Sequence, residues 1–117
     1  VKIKKAEEKG SDVNLGVHLV RDAFIDAFDV AYVLTNDTDL VEPVRIVTQE
    51  VGKKVCIVAP CRPFMDRGRT VPVPAPSLAA VSSFTHYVDD AELRAAQFPK
   101  HINRVGKKPV SRPATWV

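Results

Sequence analysis

Two carboxylates stand two residues apart at the end of an apolar run. Residues 30–34 read Val-Ala-Tyr-Val-Leu, and Thr35, Asn36, Asp37, Thr38 and Asp39 follow. The run has the length and character of a buried strand. Residues 40–50 then take on helical character. Open α/β sheets place their ligands where a strand ends and the chain enters a helix. If Asp37 and Asp39 point the same way, the two-residue strand repeat sets their charges about 6–7 Å apart. Such a pair is costly unless something positive lies beside it. A divalent cation is one answer, and oxygen donors suit Mg²⁺ or Mn²⁺. A structural reading stands next to that one. Asp39 can cap the following helix with Glu42 as its capping-box partner, while Asn36 and Asp37 are ordinary turn formers.

The elements that must position these acids can be read from periodicity. Residues 1–5 alternate Val or Ile with Lys, which predicts a short half-exposed strand. Ser11 or Asp12 is a candidate N-cap for a long helix. Val13, Val17, Val20, Phe24 and Phe28 recur at helical spacing, with Leu15, Leu19 and Ala23 widening the stripe. Asn14, His18, Arg21, Asp22 and Ile25 fall opposite. His18 and Asp22 lie one turn apart, a spacing shared by metal ligands and by solvated surface pairs. After the acids, Leu40, Val44, Val47 and Val51 predict an inward helix face. Pro43 is tolerated in its first turn, and Gly52 stops it. Residues 53–59 read as a further apolar strand. Residues 61–76 are rich in proline and carry Arg62, Arg67 and Arg69, and they read as irregular. A short helix is expected over 77–82, a strand over 84–88, and a last helix over 91–97 capped by Asp89. Strand, helix, strand, helix, strand is the pattern of a parallel sheet with right-handed crossovers.

With 117 residues, 45% hydrophobic and 26% charged, the chain fits one ordinary globular domain. No apolar run approaches the length of a membrane span, so no membrane association and a cytoplasmic setting are expected. Cys56 and Cys61 are too few for a disulfide framework and are not spaced as a zinc or redox motif. The formal charge of +3 is mildly basic, and residues 99–117 contain no acid but Lys100, His101, Arg104, Lys107, Lys108 and Arg112. That balance is compatible with a polyanionic partner. This basic tail is expected to pack on the domain, with Trp116 as its anchor. His86 and His101 stand alone and suggest no chemistry. Neither G-x-G-x-x-G nor a Walker-type loop is present.

The order Lys9-Gly10-Ser11-Asp12-Val13, Arg21-Asp22-Ala23, Thr35-Asn36-Asp37-Thr38-Asp39-Leu40 and Gly52-Lys53-Lys54-Val55 resembles the NYN family, a branch of the PIN-like metal-dependent nucleases. Leu93-Arg94-Ala95-Ala96-Gln97-Phe98-Pro99 and Arg112-Pro113-Ala114-Thr115-Trp116 look like that family's closing segment, so the likeness runs over most of the chain. It implies an α/β fold, a three-layer α/β/α sandwich around a mostly parallel sheet. It also implies that Asp12, Asp37 and Asp39 hold Mg²⁺ or Mn²⁺. Such an ion polarises a phosphodiester and lowers the pKa of an attacking water.

The function expected from this resemblance is a metal-dependent nuclease, most simply an endoribonuclease acting on RNA, with DNA as the other substrate such a nuclease could take. The alternative is an inactive nucleic-acid-binding or regulatory module. Lys9, Asn36, Arg62, Arg67 and Arg69 are the expected nucleic-acid contacts. Two departures stand out. Asn36 occupies a position where the family often has Gly, and family members begin with an earlier strand ending in Asp that this sequence does not contain. The chain is therefore expected to be incomplete at its N-terminus and to self-associate through the strand edges left open.

Overall fold

The computed structural model describes residues 10–115. The strand expected over 1–5, together with Lys9 and Trp116, lies outside the described residues. Helix α1, Ser11–Phe24, is entered from Gly10 at φ 86°, a left-handed conformation that glycine adopts without steric cost. Its buried residues are Gly16, Leu19 and Ala23. The face expected inward is thus displaced around the helix, because Val13 and Val17 are 69% and 59% exposed and Phe24 is exposed as well. Gly16 explains the displacement. A Cβ there would lie 2.9 Å from Pro43 Cγ, so the missing side chain is what lets the next helix approach. The expected helix ends four residues early. Asp26 takes φ 58°, and Phe28 reaches the core from the loop beyond.

Strand β1, Val30–Leu34, leads through a 3-10 turn, Thr38–Leu40, into α2, Val41–Arg45, and a π-helical turn, Ile46–Glu50. Leu40, Val44 and Val47 are buried and Val51 packs against the core, as the spacing predicts. On the outer side of α2, Arg45 bridges Glu42 at 2.6 Å and Glu50 at 2.8 Å. Gly52 at φ 77° turns the chain into β2, Lys54–Ala59.

The proline-rich segment is not wholly irregular. It contains a hairpin of β3, Phe64–Asp66, and β4, Arg69–Val71. The two-residue turn between them has positive φ at both Arg67 and Gly68, as a type I′ hairpin turn requires. Helix α3, Pro76–Val81, and strand β5, Phe84–Tyr87, follow as expected. Helix α4, Asp90–Ala95, is capped by Asp89. The Asp89 carboxylate accepts from Glu92 N–H at 2.8 Å, and Glu92 accepts from Asp89 N–H at 2.9 Å. A second hairpin, β6 His101–Arg104 and β7 Lys107–Ser111, carries the basic tail.

The class is mixed α/β. Strands β1, β2 and β5 form one parallel sheet in that order, and each hairpin is a separate antiparallel pair. The register pairs Ala31 with Val55 and Val33 with Ile57 on one face. That face packs with Leu19, Ala23, Leu40, Val44, Val47 and Leu78 from the helices into the core. The opposite face carries the rows Tyr32, Cys56, Phe84 and Leu34, Val58, His86. Tyr32 and Leu34 there are 70% and 66% exposed. Helix α4 reaches this side through Glu92, whose Oε1 lies 2.8 Å from His86 Nε2, but it buries none of its own residues. Among the described residues the architecture is therefore two layers, one sheet and one set of helices. The second helical layer of a three-layer sandwich is not seen.

Candidate functional site

The carboxyl end of β1 is shaped by local hydrogen bonds. Asp37 N–H donates to Thr35 Oγ1 at 3.0 Å, and Asp39 N–H donates to Asp37 Oδ1 at 3.0 Å. The cap of the following turn is thus Asp37, not Asp39 as the capping-box alternative expects. Asn36 faces inward to the chain rather than to a ligand. The Ala75 N–H donates to its Oδ1 at 2.7 Å, which pins the acidic loop to the residue before α3.

Asp12, in the first turn of α1, and Asp39, in the 3-10 turn, come to the same place. Both line a groove of about 590 Å³ between α1 and α2. Its walls are Val13, Gly16, Val17 and Val20 on one side and Leu40, Pro43 and Ile46 on the other. Arg21 and Glu42 complete the lining. The groove exists because Gly16 and Pro43 touch while the larger valines stand to the side. The α1 wall runs from Asp12 to Arg21, about 14 Å at the helical rise. Negative charge gathers at the Asp12 and Asp39 end, positive charge stands at the other, and the middle is apolar. Glu42 is held below the ordinary carboxylate range by hydrogen bonding to Arg45, so it stays ionised. Arg21 donates from Nη1 to the neighbouring Asp22 at 3.0 Å.

A divalent ion of the Mg²⁺ class takes about six oxygen ligands. Asp37 commits an oxygen to a backbone N–H and does not line the groove; Asp12, Asp39 and Glu42 do, with both Glu42 oxygens bonded to Arg45. Among the described residues no three His, Cys, Asp or Glu come together as a group able to hold a metal.

The arginines of residues 61–76 lie elsewhere. Arg62 stacks its guanidinium 5.6 Å from the centre of the Tyr87 ring. Arg67 forms the β3–β4 turn, and Arg69 stands opposite Asp66 on the hairpin. None of the three lines the groove. The apolar lining residues were legible as hydrophobic but read as core. The signal that separates the two is a glycine inside the helix, which marks a close backbone approach.

No protein-family model matches the chain, and no solved structure matches it. The chain is similar to the 6-hydroxy-3-succinoylpyridine 3-monooxygenase HspA of Pseudomonas putida, with 28% identity over 116 residues. That similarity covers 96% of this chain and 34% of the relative, so the chain spans about a third of the relative's length. This finding overturns the expectation of a phosphodiester-cleaving nuclease. A relative over nearly the whole chain is named for inserting oxygen into a pyridine, which is redox chemistry rather than phosphodiester hydrolysis.

Proposed function

We propose that this chain is part of an oxidoreductase-type enzyme acting on a hydroxylated nitrogen heteroaromatic acid, and that the groove between α1 and α2 receives the ring. The observation that carries the reading is the similarity to the pyridine monooxygenase along 96% of the chain. The groove supports it. Small-molecule sites run from about 300 to about 1,000 Å³ and are mostly apolar, with a few polar groups that fix orientation. At about 590 Å³ the groove lies in that range. Its apolar middle suits a flat ring. Arg21 at one end offers donors to a carboxylate, and Asp12 and Asp39 at the other accept from a ring hydroxyl or ring N–H.

The test is a heteronuclear NMR titration with 6-hydroxy-3-succinoylpyridine and with an analogue lacking the carboxylate. The expected result is amide shifts confined to Val13, Gly16, Val17 and Ile46, with weaker binding of the analogue. Arg21→Ala should weaken the acid about tenfold and leave the analogue unchanged, the loss of about one charge-assisted hydrogen bond. Shifts centred elsewhere, or none, overturn the groove assignment.

A further inference from the structure

We infer that the cleft between α4 and the β6–β7 hairpin binds a carboxylate carried on an apolar chain, the chemistry of a short fatty acid. It shares no residue with the groove between α1 and α2, so the inference is independent of the ligand proposed there. Two cavities adjoin at this place. One, of about 450 Å³, is lined by Asp90, Leu93, Arg94, Gln97 and Arg112. The other, of about 330 Å³, has Phe98, Pro99, Ile102, Val110 and Pro113 as its apolar walls. Gln97 and Arg112 line both, which makes them the two ends of one elongated cleft.

The first end is cationic. Arg94 lies in the last turn of α4. Arg112 directly follows β7, and its N–H donates to the Lys100 carbonyl at 2.9 Å, which extends the hairpin by one rung. Both arginines thus stand on regular backbone. Among the described residues neither guanidinium has a carboxylate within salt-bridge distance, Asp90 of the same cavity included. Two guanidinium groups against one carboxylate leave this end with one positive charge in excess. Gln97 does not offset it, since its Nε2 donates to the Leu93 carbonyl at 2.8 Å. A guanidinium binds a carboxylate through paired, charge-assisted hydrogen bonds.

The second end is apolar and wet. Phe98 is 81% exposed and Val110 45%. Covering such side chains is favourable in proportion to the apolar area taken from water. A bare anion would leave these walls exposed, and an uncharged chain would leave both guanidinium groups unmatched. A charged head with an apolar body answers both ends at once. Each cavity lies within the volume range of small-molecule sites.

A heteronuclear NMR titration with octanoate, and with acetate as the head group alone, tests this. With about ten non-hydrogen atoms, octanoate should bind with a Kd of about 1 mM. Shifts should centre on the amides of Phe98, Ile102, Val110 and Arg112, and acetate should give none at the same concentrations. Arg94→Gln and Arg112→Gln should each weaken octanoate about fivefold, with an unchanged circular dichroism spectrum. Phe98→Ser should weaken it as well, and Trp116→Ala should leave it unchanged. The inference is overturned if octanoate shifts nothing here, if its shifts centre on Tyr32, Leu34 and Phe84 of the sheet, or if acetate binds equally well. It is overturned too if neither arginine variant weakens binding. Binding by Trp116→Ala but not by the parent would mean that the chain itself fills the cleft, and that also overturns it.

Discussion

The two faces of the parallel sheet are made from the same short apolar runs, and their fates differ. On one, Val33, Val55 and Ile57 meet three helices and lose nearly all contact with water. On the other, Tyr32, Leu34 and Phe84 keep large exposed surfaces within one or two positions of those same residues. Among the described residues only the central strand is covered from both sides, and Cys56 shows it. The thiol is fully buried, and its pKa is pushed up by burial. Composition is nearly constant across the sheet, so the difference comes from what packs on each face. Stability resides on the helical side, and among the described residues the other side is left open.

The sharpest way to break this comparison is to truncate one residue on each face. Ile57→Ala on the covered face should cost about 3 kcal/mol, the transfer loss plus a residual cavity. Tyr32→Ala on the open face should cost under about 1 kcal/mol. Urea denaturation measures both, and equal losses would mean that the open face is buried in solution. Next in size is Gly16→Val, which forces Pro43 away. A loss of about 1 to about 3 kcal/mol is expected from overpacking, with chemical-shift changes spreading along the groove.

The smallest effect is that of pH. Hydrogen bonding to Lys53 lowers the Asp26 pKa from 3.8, and hydrogen bonding to Arg45 lowers that of Glu42 from 4.5. Such groups stabilise the fold above their unfolded pKa and lose that contribution as pH falls through the folded one. Lys53 is raised above 10.5 by its bond to Asp26, so its share is present below that value and is lost at higher pH. The urea midpoint should therefore be flat from about pH 5 to about pH 10 and fall slightly on either side. A steep change near neutrality would count against this assignment.

The parallel sheet, the inward residues of α2 and the Asp89 cap were all legible in the sequence because each depends on local spacing. Leu40, Val44 and Val47 fall on one helical face whatever they pack against. The phase of α1 was legible only in part. Leu19, Ala23, Val20 and Phe28 turn to the core as their spacing predicts, but Val13, Val17 and Phe24 do not, because the missing side chain of Gly16 sets where the next helix approaches. The β3–β4 hairpin was hidden by the prolines that flank it, Pro63 and Pro72, although Arg67-Gly68 is a two-residue turn that ends in the glycine such turns favour. The acids were found, and Asp12 and Asp39 do share a groove. What sequence spacing cannot show is that Asp37 satisfies its own backbone and that Asn36 is tied to Ala75.

That last bond has a mechanical consequence. A single amide joins the loop carrying Asp37 and Asp39 to the chain just before α3, some forty positions away in sequence. The acidic rim of the groove and the proline-rich segment are linked in series through it. Val73 is buried and Ala75 packs against the core, so a pull on this segment reaches the mouth of the groove and the core together.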